Sequence, residues 1–494
     1  MELRDYQKKA IDDIRASYRA GHKAPLLCLP TGGGKTVIFS YIAQSAAAKG
    51  KQVLILVHRR ELLQQTSETL KSFGVDHGII AAGHPMDTKP VQVASVQTLA
   101  RRLERIKTDP GLIVVDEAHH AVAGSWEKVI DRFSDSKLLG VTATPMRLDG
   151  KPLDHIFDAL ISGPSVKELT EAGFLAPSKC FTVPAKLDRK AIGVIGGDFK
   201  MSDAVLKMSE CKVNGDAVVE YRRHCSGKPA VVFCCNIAHA EFVADLFSEA
   251  GYKAAHLSGK LSHEIRKQRI QDLGRGRLQV LTSCDVISEG TDIPAVAAAI
   301  LLRPTQSEAL YLQQVGRALR ISEGKDYALI LDCVGNIFDH GMPDAKRNFT
   351  LHGEDKLKAE SVRECPDCFA VMPSSCDVCP ECGHVFEKET KEVEPADYVP
   401  IKKVDLVEIT EVKIVDNRPR KKRIAEARTF KELDALRKEF GYKPGWTYLI
   451  MKERTPRACK PVTPRGQNWS ALLAKASIPE PPGYQETAKM VQNN

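Results

Sequence analysis

Short, continuously apolar runs punctuate the first part of the chain: VLILVH at 53–58, VQVASV at 91–96, LIVVDEA at 112–118 and LLGVTAT at 138–144. Each is bounded by charged or turn-forming residues, with helical segments between them. A strand that is apolar on both faces belongs in a parallel sheet covered by helices on each side. The rhythm weakens over residues 160–212, where GPS, APS and GVIGGDF mark a connecting region. It restarts with PAVVFCC at 229–235, LQVLTS at 278–283, AAILL at 298–302 and YALILD at 327–332. The pattern predicts two α/β units in tandem. After about residue 345 it gives way to cysteines, acidic residues and a stretch of low hydrophobicity near 387–403.

At 494 residues the chain is longer than one core usually organises, and 43% hydrophobic residues suffice for two. The formal charge of +8 is unevenly spread: residues 401–494 hold 20 Lys/Arg against 11 Asp/Glu, so the remainder is close to neutral. A basic end suits a polyanion, although a solvated surface segment would look the same. No run of about 18 apolar residues occurs, and MELRDYQKKA is charged from its second residue. Neither a membrane span nor a secretion signal is expected, and the cytoplasm is the expected compartment. Fourteen cysteines in such a chain argue against a disulfide framework. Cys28, Cys180, Cys234 and Cys284 sit among apolar residues and read as buried thiols.

Candidate chemistry begins at LCLPTGGGKTVIF, residues 27–39. A glycine-rich turn between a buried strand and a helix points backbone N–H groups at one spot, and the helix dipole adds partial positive charge. That spot suits a phosphate. Lys35 supplies a point charge and the Thr36 hydroxyl is placed to ligate Mg²⁺. The stretch reads as a Walker A loop with Leu29 where the first glycine is usual. A plain strand–turn–helix connection would share these residues, so other segments decide. In LIVVDEAHH a buried strand ends in Asp116 and Glu117, one suited to hold Mg²⁺, the other to deprotonate an attacking water. VTATP offers the hydroxyls of Thr142 and Thr144, and LRDYQKKAI offers Gln7 to an adenine edge. YLQQVGRALR puts Arg317 and Arg320 on one helical face, with Gln313 a turn earlier, where they could meet the charge of a γ-phosphate.

In order, PTGGGKT, HRREL, ASVQTL, DEAH, TATP, SEGTDIP and QQVGRALR resemble motifs I to VI of superfamily 2 helicases, with a DEAH-type second motif. The resemblance spans about residues 1–345. GRALRISEGKDYALILDCVGNIFDHG, followed by four cysteines, resembles the RadD-like members, related to the XPB branch. It implies two tandem RecA-like P-loop domains with parallel sheets, at 1–160 and 213–345, joined by a connecting region at 161–212. A zinc module at 360–388 and a basic α/β or helical tail at 389–494 would follow. It implies that Arg4 and Gln7 contact adenine, and that Gly32, Gly33, Gly34, Lys35 and Thr36 surround the phosphates and Mg²⁺ of ATP. Asp116 would bind Mg²⁺, Glu117 act as base, and His119, Thr142 and Thr144 couple hydrolysis to strand grip. Gln313, Arg317 and Arg320 would face the γ-phosphate, helped by Gly290 and Asp292. Arg59, Thr98 and Ser258 fall where such proteins contact a nucleic-acid backbone. Thr291, where an aromatic is frequent, and Leu273, where phenylalanine is common, depart from the family pattern.

CPDC (365–368) and CPECG (379–383) are paired C-x₂-C knuckles with ten residues between them. Four thiolates at this spacing close a tetrahedron around structural Zn²⁺, with Cys365, Cys368, Cys379 and Cys382 as ligands. Cys376 forms an alternative pair with Cys379, and five cysteines also suit an iron–sulfur cluster. Beyond them, RPRKKRIAEAR (418–428) is densely basic, and Tyr442 and Trp446 lie near lysines in GYKPGW. That combination suits single-stranded nucleic acid, or a small helical module with Trp446 as its core.

The expected function is an ATP-dependent DNA motor, a helicase or translocase of DNA repair or recombination, nucleoid-associated and acting on single-stranded or branched DNA. The resemblance adds a single-stranded DNA-binding protein as partner. A DNA-stimulated ATPase that remodels complexes without separating strands, or a restriction-type motor subunit, are the other readings. No strand-separating element stands out in the sequence.

Overall fold

The computed structural model describes residues 2–85, 87–106, 109–121, 124–146, 152–183, 186–211, 213–284, 296–352 and 360–386, and, within 423–451, all but residues 425, 428, 444–445 and 448–449. Two units divide the chain, Met1–Lys391 and Glu392–Asn494.

In the first unit, seven strands form one parallel sheet: β1 (Pro25–Cys28), β2 (Val53–Val57), β3 (His77–Ile80), β4 (Val91–Ser95), β5 (Leu112–Asp116), β6 (Lys137–Thr142) and β7 (Ala159–Ser162). Their order is β3-β4-β2-β5-β6-β1-β7. The unbroken apolar runs follow from burial on both faces. Along β2, Val53, Ile55 and Val57 join the core with Ile11, Phe39 and Leu70, whereas Leu54 and Leu56 join the opposite core with Trp126 and Phe157. Each such side chain contributes about 1.5–3 kcal/mol by leaving water. A Cβ on Gly140 would lie 2.4 Å from the Phe157 ring, so that strand position must stay bare.

The second sheet has eight strands in the order β12-β13-β11-β14-β15-β8-β17-β16. They are β8 (Ser178–Thr182), β11 (Ala230–Phe233), β12 (Ala254–Leu257), β13 (Val280–Ser283), β14 (Ala298–Leu301), β15 (Ala328–Asp332), β16 (Val362–Glu364) and β17 (Ala370–Pro373). The order is parallel from β12 to β8, and β17 and β16 then add on antiparallel. The segment read as a connecting region contributes β8 and a separate hairpin, β9 (Val194–Ile195) with β10 (Asp198–Phe199). The cysteine-bearing segment also joins the sheet, because β17 pairs with the free side of β8.

In the second unit the helix Phe430–Phe440 opens with a capping box between Thr429 and Glu432 and closes at Gly441 in the left-handed conformation. Ala427, Leu433 and Leu436 form a small core with Phe440, Trp446 and Ile450 against it. Trp446 stacks on Tyr442 at 4.6 Å, so it serves this core.

Candidate nucleotide site and cysteine cluster

Parallel pairing aligns the C-terminal ends of β1, β6, β5, β2 and β4 on one edge of the first sheet. That edge therefore carries, side by side, the glycine loop, TATP, DEAHH, HRREL and ASVQTL. The loop turns through Gly32 (φ +87°) and Gly34 (φ +82°) into the helix Lys35–Ala47. A Cβ on Gly34 would stand 2.4 Å from the Gln7 amide nitrogen, so glycine is needed both for φ and for this close approach. Gln7 is held in turn by accepting the Arg4 backbone N–H at 3.0 Å. Tyr6 donates to the Gly33 carbonyl at 2.9 Å, and Arg4 lies 4.5 Å over the Phe174 ring. Tyr6 and Phe174 had no signal in the sequence, because their role here is contact with the loop and with Arg4.

Lys35 donates to the Leu29 carbonyl at 3.2 Å. Burial, and next the charge of Glu117, push the Asp116 carboxyl up to about 7, while Lys35 opposes the rise. Asp116 accepts the Glu117 N–H at 3.0 Å, and Glu117 sits at φ +50°, a strained backbone for a non-glycine residue. Among the described residues the buried Glu117 Oε2 accepts no hydrogen bond, and the Thr144 hydroxyl has no partner. An orphaned carboxylate oxygen beside a buried acid and the glycine loop fits a hydrated divalent cation and phosphate oxygens. His119 lies 3.6 Å from Glu117 and 3.1 Å from the Thr142 hydroxyl, which donates to the Thr144 carbonyl at 2.8 Å. The proposed couplers are thus in contact. His120 packs between His119 and His58, with ring centroids 4.2 Å and 4.5 Å away.

The second sheet supplies basic groups to the same loop. Gln313 lies in the helix Glu308–Gly316, with Arg317 as its C-cap. A Cβ on Gly316 would fall 2.7 Å from the Thr31 Cβ, and one on Gly32 3.6 Å from Arg320 Cγ, so motif VI packs against the glycine loop. Leu175 and Arg320 form a backbone bridge. Both polar atoms of the Gln313 amide are buried with no hydrogen-bond partner among the described residues, a need that a ligand would meet. Lys325, absent from the sequence reading, donates to the carbonyls of Ala318 and Arg320 and of Val296, tying down the end of motif VI. Burial lowers its ammonium to about 8. Arg59 and Thr98 stand half-buried on the first rim, whereas Ser258 is buried with 1% exposure. Gly290, Thr291 and Asp292 lie outside the described residues.

Cys365, Cys368, Cys379 and Cys382 bring all four sulfurs within 4.8 Å of one another. The Cys365–Cys382 and Cys368–Cys379 sulfurs are 3.6 Å apart. A tetrahedral ion with metal–sulfur bonds of about 2.3 Å separates its sulfurs by about 3.8 Å, so the set fits. Cys376 is outside this group. His384 bridges the knuckles to Asp367 at 2.8 Å, and Lys179 of β8 pairs with Glu381 at 2.7 Å.

Residues 1–147 match the family model of the type III restriction enzyme res subunit, and residues 215–322 that of the helicase conserved C-terminal domain. A 51.5 kDa protein of a Lactococcus phage is 34% identical over 371 residues, 73% of this chain and 78% of that one. The Saccharomyces cerevisiae protein named ATP-dependent helicase IRC3 is 34% identical over 354 residues, 67% of this chain; the match takes in 51% of the yeast protein, about half its length. A fragment of an HsdR subunit of a type I restriction enzyme from Vibrio vulnificus shares the fold, with TM-score 0.56 at 22% identity over 69% of this chain and 65% of that one. Among the described residues no helix is long and apolar enough to cross a membrane.

Proposed function

The chain belongs to the superfamily 2 helicases, enzymes that hydrolyse ATP, and we propose that it is a DNA motor of the RadD-like, XPB-related branch. The observation that carries the motor reading is the packing of Gly316, beside Arg317 and a Gln313 amide with no hydrogen-bond partner among the described residues, directly on Thr31 of the glycine loop. ATP enters between two sheets, one supplying acids and the other cations. Arg4 and Gln7 take the adenine, and the Gly32–Gly34 backbone with Lys35 takes the phosphates. Thr36 and Asp116 hold Mg²⁺, which when bound neutralises phosphate charge. Glu117 removes the proton of the attacking water. Arg317 and Arg320, aligned by Lys325, stabilise charge on the γ-phosphate oxygens, and Gln313 orients that group. His119, Thr142 and Thr144 carry the state of the site to the neighbouring strand ends, where Arg59 and Thr98 grip a phosphate backbone.

Four cysteines hold a structural Zn²⁺ that braces the second sheet. The basic tail binds DNA or a single-stranded DNA-binding protein, in repair or recombination. The restriction-subunit match over residues 1–147 favours DNA as the track, and it equally supports a second reading as a restriction-type motor subunit.

Steady-state ATP hydrolysis is to be measured without nucleic acid and with single-stranded DNA, duplex DNA and RNA at matched low salt. Stimulation by one form of DNA is expected. A rate indifferent to every polynucleotide contradicts the motor reading.

A further inference from the structure

We propose that residues 343–352 form a tether that limits how far the two sheets part, keeping the motif VI helix within reach of the glycine loop through the hydrolysis cycle; this rests on the shared ATP site proposed above. The root of the tether is knotted to that helix. Arg347 uses all five of its N–H donors: Nε donates to Glu308, the first residue of the helix, at 2.6 Å, and the two Nη groups donate to the carbonyls of His340, Met342, Pro343 and Ala345 at 2.9–3.2 Å. A turn later in the helix, Tyr311 donates to the Gly341 carbonyl at 3.0 Å, and its ring stacks on His340 with centroids 5.3 Å apart. The tether therefore begins as an extension of the element that carries Gln313 and Gly316.

The far end is seated in the other sheet. Leu351 is 9% exposed and packs with Leu153 and Phe157 in one of the two cores that flank the first sheet. Its carbonyl accepts the Leu153 N–H at 3.0 Å, and His352 reaches Asp154 at 2.9 Å. That turn is itself fixed, since Asp158 accepts the backbone N–H groups of Lys23 and Ala24, just before β1, at 2.6 Å and 3.1 Å. The next described strand in the chain, β16, belongs again to the second sheet. The chain thus leaves the second sheet, places one leucine in the core of the first and returns, a crossing that joining β15 to β16 does not require.

The span between the anchors is short. Arg347 and Leu351 are four residues apart in the chain, a reach of at most about 14 Å when fully extended. Beside it lies a cavity of about 120 Å³, bounded in part by Pro343, Arg347 and Phe349 of the tether, by Thr31 of the glycine loop and by Val315 and Gly316 of the motif VI helix. Packed interiors hold few voids larger than a water molecule, so a gap here leaves the contact between Gly316 and Thr31 room to slide. The tether bounds that movement. The chance that two tethered surfaces meet falls roughly as the −3/2 power of the tether length, about threefold for each doubling.

The test lengthens the tether and leaves both anchors intact. In the full chain, Gly/Ser spacers of about four and about twelve residues are inserted after Asn348, which is exposed, and turnover at saturating ATP is measured beside an Arg317→Ala chain of normal length. Doubling the span should lower turnover about threefold and quadrupling it about eightfold. The melting temperature should be unchanged, because no packed side chain is removed. Leu351→Ser, which releases the far anchor, should lower turnover at least as far, whereas Leu351→Met should keep the parental rate. Turnover that ignores tether length, while Arg317→Ala abolishes it, overturns the tether and leaves the shared site standing. Turnover that ignores both overturns the shared site, and the tether with it. Complete loss at the shorter spacer with a lowered melting temperature would make the segment part of the folded core and also overturns the tether.

Discussion

The two sheets meet at one glycine loop but bring opposite charges to it. The first ends in the buried acids Asp116 and Glu117, where desolvation, and next the charge of Glu117, pushes Asp116 up to about 7. The second brings Arg317 and Arg320 on a segment whose end is clamped by the half-buried Lys325. Within the first sheet Lys35 offsets part of the acidic charge at Asp116. A triphosphate with its cation would satisfy both, so an ATPase built this way reads the relative position of its two sheets. That is the property a motor needs, and it can be attacked from either side.

The largest expected effect comes from the acidic side. Glu117→Gln should keep ATP binding and lower turnover by about 10²–10⁴, the usual worth of a positioned general base; unchanged steady-state turnover would remove Glu117 from that role. Next comes the contact itself. Gly316→Val inserts a Cβ only 2.7 Å from the Thr31 Cβ and should hold the sheets apart. Hydrolysis is expected to fall by about 10²-fold for an ångström of misplacement, with the melting temperature little changed.

A smaller and one-sided effect is expected from chelation. If the four cysteines hold the proposed zinc, removing it should release β17 from β8, seen as faster amide exchange across 178–182 and a lower melting temperature, while exchange in the first sheet stays constant. Uniform change across both sheets would contradict the contrast. The smallest effect is a pH dependence confined to the second sheet. Burial pushes His239 down to about 4, and its Nδ1 accepts the Cys235 N–H at 3.2 Å, so the folded ring is neutral. Unfolded, it titrates near about 6.5. Below that pH the unfolded chain binds a proton that the folded one refuses, so this contribution to stability is full above about 6.5 and declines toward pH 4. His239→Gln should flatten that decline in a urea-melt series.

The same contrast separates what could be read in the sequence from what could not. Binding a phosphate forces glycines, Lys35 and Thr36 into one contiguous stretch, and strand ends force Asp116 and Glu117 beside an apolar run. Such local requirements leave local marks. By contrast, SKCFT carries no unbroken apolar run, and β8 exists because β15 and β17 flank it. GVIGGDF reads as a connector because two residues per strand leave no period, yet its roots at Asp198 and Arg189 make it an anchored hairpin. Lys325 and Tyr6 act through backbone carbonyls, those of Val296 and Gly33 being distant in the chain, which no residue pattern announces. Spacing names Cys382 as a ligand with Cys376 as the alternative, and the sulfur positions group Cys382 with Cys365, Cys368 and Cys379.

The division of chemistry between the sheets is tested most directly by Arg317→Ala, with ATP affinity and single-turnover hydrolysis measured on the same preparation. Affinity should change only a few-fold, because the loop and Lys35 belong to the first sheet, while hydrolysis should fall by about 10³–10⁵. Hydrolysis at the parental rate with ATP bound would mean that the first sheet works alone, and the shared site would be wrong.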